Sequence, residues 1–163
     1  MVSRVADFEH VVLGPLAGRP ESDWQRAPAG TWTPAQIVEH LAISLERSAR
    51  GFEKATGGQH RRPPTPLERV ACWLVFGLGW TPPGVRAARG TTPAARVEAA
   101  DAERHFRDGL ARWATLESRA IGGDPGTFVH HPRLGDLDLE EWVRFHQWHC
   151  RHHAKQIRRR LAG

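Results

Sequence analysis

A chain of 163 residues with 40% hydrophobic content can close one sizeable core and is too short for two ordinary domains, so one domain over 1–163 is expected. No run reaches the roughly 18 to 20 apolar residues a membrane span needs, and Met1 to Asp7 lacks a signal-peptide pattern, which points to the cytoplasm and away from membranes. The formal charge of +5 comes from arginines scattered along the chain, grouped only at Arg61–Arg62 and Arg158–Arg160, with no recognition-helix pattern beside them, which argues against nucleic acid as a partner.

Taken in chain order, the punctuation reads as helices. Val5, Phe8, Val12 and Leu16 put an apolar stripe on a first helix over about 3–18, kinked at Gly14-Pro15. Thr33-Pro34 offers a capping hydroxyl and a proline for the first helical position, and Gln36 completes a capping box. The helix that follows, about 34–56, carries Ile37, Leu41, Ser44, Leu45, Ser48 and Phe52 on one face and ends at Gly57-Gly58. Thr65-Pro66 with Glu68 repeats the start signal for a short apolar helix over about 66–79. Thr81-Pro82 and Pro83-Gly84 read as loop, and the stretch from Trp80 to Pro93 is long enough to be mobile or to cover a site. Thr92-Pro93 predicts the start of a helix over about 94–121, closed by Gly122-Gly123. Asp138 with Glu141 then opens a last helix over about 139–161. No strand pattern competes, and such stripes call for an all-α bundle.

Two cysteines, Cys72 and Cys150, lack the spacing of a zinc ribbon, a redox motif or a disulfide framework, so both are expected to be reduced. The histidines are more informative. Of ten, four fall in the last helix within Phe145-His146-Gln147-Trp148-His149-Cys150-Arg151-His152-His153. At about 100° per residue, His149 and His153 lie about 40° apart, one turn above the other, in the sector that holds Leu139, Trp142, Phe145, Gln156 and Ile157. Two buried imidazoles must stay neutral and find partners for their ring nitrogens, and one divalent cation satisfies both. Zincin proteases use the same spacing, but Cys150 stands where their glutamate base would be, so a protease is not supported. The third ligand must come from another helix. His40 lies about 60° from Ile37 and about 100° from Leu41, on the inward side of the second helix, and is the strongest candidate. His146 and His152 flank the same face and read as supporting or packed histidines, while His10, His60 and His105 read as surface or boundary residues. His130 and His131 fall in the segment before the last helix and read as a turn.

The string Thr31-Trp32-Thr33-Pro34-Ala35-Gln36-Ile37-Val38-Glu39-His40-Leu41, with Trp148-His149-Cys150-Arg151-His152-His153-Ala154-Lys155-Gln156-Ile157, resembles the DinB/YfiT-like metalloenzymes. The His131-Pro132-Arg133-Leu134-Gly135 to Glu141-Trp142 segment is similar as well, whereas the middle of the chain matches only in being helical and apolar. The resemblance implies an up-down-down-up four-helix bundle with one long crossover, here with an extra short helix. It also implies a metal site made by His40, His149 and His153. Relatives of this kind bind nickel or zinc with water in the open positions. Some are transferases using small thiols such as bacillithiol, mycothiol or glutathione, and others look like hydrolases or isomerases.

Three neutral imidazoles leave coordination positions open, as catalytic rather than structural sites do. A divalent ion so held would act as a Lewis acid on a water or small thiol, for transfer or hydrolysis of a small-molecule substrate. His152, His146 or Gln156 could orient that nucleophile. Three imidazoles suit zinc, nickel, iron or copper alike. The alternative is a non-catalytic, metal-stabilised, stress-associated binding protein, since no Asp or Glu falls clearly among the inward positions beside the ligands. Ala71 to Leu78, with Cys72, Trp73 and Phe76, is more apolar than one bundle face needs; core packing is expected, with a homodimer contact as the other reading. Trp32 reads as a staple-like packing residue.

Overall fold

A computed structural model describes residues 5–55, 60–80, 87–120 and 126–163. The expected glycine stops at Gly57-Gly58 and Gly122-Gly123 and the Thr81-to-Gly84 loop lie outside the described residues. The first helix, α1, covers Ala6–Leu13 and tightens into a 3-10 turn over Gly14–Leu16, where Pro15 replaces a continued helix; α2 is a single turn, Glu21–Trp24. Two long helices follow, α3 over Pro34–Lys54 and α5 over Ala99–Ala120. Between them α4, Pro66–Cys72, runs into a π-helical segment over Trp73–Gly77. A small antiparallel hairpin of β1 (Val129–His131) and β2 (Gly135–Leu137) precedes α6, Leu139–Ala162.

The helix directions follow from the side-chain pairs that join them. Glu39 and Glu53 of α3 meet His105 and Arg112 of α5, so these two run parallel, joined by the long crossover. Glu9 meets Arg107 while the later Glu21 takes the amide of Ala99, so the first segment runs opposite to α5. His40 meets His149 while Ser48 meets His146, so α6 runs opposite to α3. The result is the up-down-down-up bundle, with the short α4 as the extra helix. Its core is built from the expected stripes: Val5, Phe8, Val12 and Leu16, then Ile37, Leu41, Leu45 and Phe52, all buried, closed by Phe106 and Trp113 from α5. Gly109 lets α5 approach α3 closely, since a Cβ there would stand 3.1 Å from the Cβ of Leu45.

Three expectations need correction. Thr92-Pro93 does not start α5, which begins at Ala99. The carbonyls of Ala94 and Ala95 accept from the amide of Gln36 and that of Val97 from Gln25, so tertiary bonds take the groups a helical turn would have used. The segment before α6 is a paired hairpin rather than a plain turn, pinned by Trp142, whose indole donates to the carbonyl of Val129. The apolar 71–78 stretch is not wholly core. Val75 is buried and Cys72 and Phe76 pack against the core, but Trp73 and Leu78 are exposed, and so are Leu67 and Val70 earlier on α4.

All three sequence-predicted capping boxes form, at Thr33/Gln36, Thr65/Glu68 and Asp138/Glu141. Their energetic weight differs with what the helix buries. Replacing Thr33 by Ala removes the cap of α3, which carries much of the core, and is expected to lower unfolding free energy by about 1 kcal/mol in urea titrations. The same change at Thr65 frays a helix with no buried residue and should leave the global midpoint within about 0.5 kcal/mol of wild type.

Candidate metal centre

Helix α3 carries His40 inward because its cap and Pro34 fix where the helix begins, and the Ile37–Leu41–Leu45 stripe fixes its rotation. Helix α6 carries His149 and His153 inward by the same means, with Val143, Phe145 and Ile157 on the buried side. All three imidazoles are buried. The Nε2 atom of His149 lies 3.1 Å from that of His40 and 3.1 Å from that of His153. Two nitrogens held at about 2.0–2.1 Å from one ion, at an angle between about 95° and 110°, stand about 3.0–3.4 Å apart, so these separations suit a shared divalent cation.

The protonation pattern points the same way. Nδ1 of His40 is 2.7 Å from the carbonyl of Thr91, which can only accept, so the proton sits on Nδ1 and Nε2 presents a lone pair. Nδ1 of His153 is 2.9 Å from Oε1 of Gln156, which fixes the same tautomer. Both lone pairs face Nε2 of His149, which has at most one proton to offer, and whose own Nδ1 is buried without a partner among the described residues. Protonation is no remedy. Burial pushes the His40 ring below its ordinary range, burial and then the neighbouring His40 push His153 down to about 3, and burial, then His153 and His40, hold His149 well below 6.5. Three neutral donors therefore converge with nothing positive between them, a donor set suited to a metal ion.

A family model described as the DinB superfamily matches residues 8–157. The chain belongs to the DinB superfamily. No curated protein and no solved structure matches it. The match spans α1 through most of α6, so in this DinB-superfamily chain the convergence of α3 and α6 lies wholly within the matched region.

Other histidines named from sequence divide clearly. Gln156 grips His153 from behind, and its amide nitrogen lies 3.2 Å from Nε2 of His152, whose ring also meets that of His153 edge-on at 5.2 Å. His146 is buried one turn away, with Nε2 2.9 Å from the hydroxyl of Ser48 and its ring edge-on to Trp113. His131 packs against Trp142 and Phe145 and accepts the amides of Arg133 and Leu134, whereas exposed His130 pairs with Asp136. His105, read as a boundary residue, bridges Glu39 and Glu46.

Sequence reasoning missed two contributors. The Thr91 carbonyl that orients His40 leaves no side-chain signal, because any residue would present it. Trp32, read as a staple, lies with its ring 4.9 Å from that of His40 and so walls the centre. Its position directly before the Thr33 cap was the available clue.

Buried His146 and half-buried His131 make stability pH-dependent. Burial, then the charge of His131, pushes His146 to about 3, and burial, then Arg133, pushes His131 to about 4, both from an ordinary 6.5. Below pH 6.5 the unfolded chain binds protons that the folded one refuses, so stability is full above that pH and falls as pH drops toward 3 to 4. For His146 the slope is about 1.4 kcal/mol per pH unit inside that window. Urea titrations of wild type and His146→Gln from pH 7.5 to 4.5 should differ by about that slope; parallel lines would show that the His146 ring protonates in the fold.

Proposed function

We propose that His40, His149 and His153 bind one divalent metal ion, zinc or nickel, and that the protein is a metal-dependent enzyme acting on a water or small thiol for transfer or hydrolysis. The observation that supports this reading is the pair of 3.1 Å Nε2 separations between buried rings whose other nitrogens are already committed at His40 and His153. When bound, the ion supplies Lewis-acid chemistry, lowering the pKa of a water or thiol so that the nucleophile exists near neutral pH.

The chain's own residues supply orientation. The Thr91 carbonyl and the Gln156 amide oxygen lock the two outer imidazoles in the tautomer that leaves Nε2 free to ligate. Trp32 and the stacked Phe145 wall the rings of His40 and His149 and limit water at the centre. His152 and Gln156 act as positioning residues, holding His153 rather than meeting a reacting atom.

A non-catalytic, metal-stabilised binding module is the second reading. It is favoured by the partners of the ligand rings: a carbonyl and an amide hold them where a carboxylate base would have announced acid–base chemistry.

Elemental analysis of protein purified without a histidine tag tests the site. Wild type should carry one metal per chain; His40→Ala and His149→Ala should carry none, and Gln156→Ala should bind about 10- to 100-fold more weakly. Metal retained at wild-type level in both histidine variants would refute the centre. Incubation with panels of thiols and electrophiles then separates the two readings, since equal turnover by wild type and His149→Ala would remove the metal from catalysis.

A further inference from the structure

Outside the histidine centre, the outer face of α6 borders a cleft of about 460 Å³ whose other wall is the π-helical end of α4. Its two walls differ in chemistry. Val75, Phe76 and Leu78 make one side apolar, while Arg144, Arg151 and Lys155 make the other cationic, and no acidic side chain is among the described residues that line it. Spacing explains the cationic row: positions 144, 151 and 155 fall within about 40° of one another on a helix. The backbone closes over the cleft at Gly79, whose positive φ of 61° turns the chain across Trp148, with the amide of Trp80 returning to the carbonyl of Leu74.

Several arginines elsewhere are paired; Arg69, Arg158 and Arg159 also have no ion pair among the described residues, but this row sets three such cations along one cleft. Arg61, Arg62, Arg107 and Arg112 each meet a carboxylate. Arg144, Arg151 and Lys155 form no ion pair among the described residues. The Arg144 guanidinium instead lies 5.3 Å from the Phe76 ring centre, which orients a planar donor fork while leaving its N–H groups for something else. The cleft also adjoins the centre. His152 lines it, stacks on Trp148 at 5.4 Å, and is joined through Gln156 to His153.

We infer that this cleft is the anchoring subsite for a small organic anion, a carboxylate carrying an apolar or aromatic portion, which is the chemical class of the substrate. The carboxylate meets Arg144 and Arg151, with Lys155 adding charge, and the apolar portion lies along Phe76, Leu78 and Trp148. That this anion is a substrate rests on the metal-dependent function proposed above; its binding does not.

The test is fluorine NMR titration of the protein as purified with 4-(trifluoromethyl)benzoate and with the uncharged 4-(trifluoromethyl)benzamide. Wild type should prefer the benzoate by about tenfold, the preference should shrink as salt is raised, and it should vanish in R144Q/R151Q but survive in R144K/R151K. Both arginines are exposed, so unchanged circular dichroism is expected in all variants. Equal affinity for the two probes in wild type, or an undiminished preference in R144Q/R151Q, would overturn the inference. A preference that survives R144Q/R151Q and is lost in His149→Ala would place the carboxylate at the histidines, sinking the cleft and sparing the metal centre. An arginine-dependent preference in protein that carries no metal would keep the cleft as an anion site and remove the metal-dependent reading instead.

Discussion

Three imidazole lone pairs brought face to face in a water-poor interior are the constraint on which the rest of the molecule turns. Leaving a buried polar atom unsatisfied costs about 1–3 kcal/mol, and Nδ1 of His149 already stands in that condition while the Nε2 atoms oppose one another. The bundle imposes this arrangement. Helix α3 cannot rotate His40 away without exposing Ile37, Leu41 and Leu45, and α6 cannot turn His149 and His153 outward without exposing Phe145 and Ile157. Apolar burial thus holds together donors that would otherwise separate, and the single proton His149 can offer satisfies at most one of the two contacts, which is the condition a shared cation would relieve.

Much of this was legible in the residues because two periodicities overlap. The 3.6-residue stripe that marks the core of α3 and α6 also turns His40, His146, His149 and His153 inward, and the i,i+4 spacing with the DinB/YfiT-like resemblance separated His40, His149 and His153 from His146. The caps were legible for a similar reason: a hydroxyl or carboxylate three residues before Gln or Glu satisfies local amides, whatever the tertiary context.

What failed was decided by distant partners. Thr92-Pro93 carries a sound local start signal, yet Gln36 and Gln25, more than fifty residues away, take the carbonyls of that stretch and delay α5 to Ala99. The hairpin at Val129 to Leu137 was invisible because three-residue strands are too short to show alternation. The Thr91 carbonyl was hidden for a deeper reason: a backbone group that orients a ligand puts no constraint on the side chain that carries it. The apolar 71–78 stretch misled because hydrophobic content says how much surface wants cover, not whether the fold supplies it, and Trp73 lies on the side that nothing in the described chain covers.

The electrostatics of the two neighbouring features fit together. Neutral imidazoles contribute no charge, so a divalent ion in their grip would keep its full formal charge, unlike an ion held by carboxylates or thiolates. A few side chains away the surface sets Arg144, Arg151 and Lys155 without acidic partners among the described residues, and they form part of the chain's formal charge of +5. A second cation would be repelled from such a field, and a neutral molecule would gain little from it. An anion of the proposed kind would gain at both ends, through the guanidinium groups at the cleft and through a metal ion behind Gln156 if one is bound, and the one-sided charge of the outer α6 face would raise its local concentration before any contact is made. Burial first, and then the charges of Lys155 and Arg159, lower the proton affinity of His152, the histidine that lines the cleft.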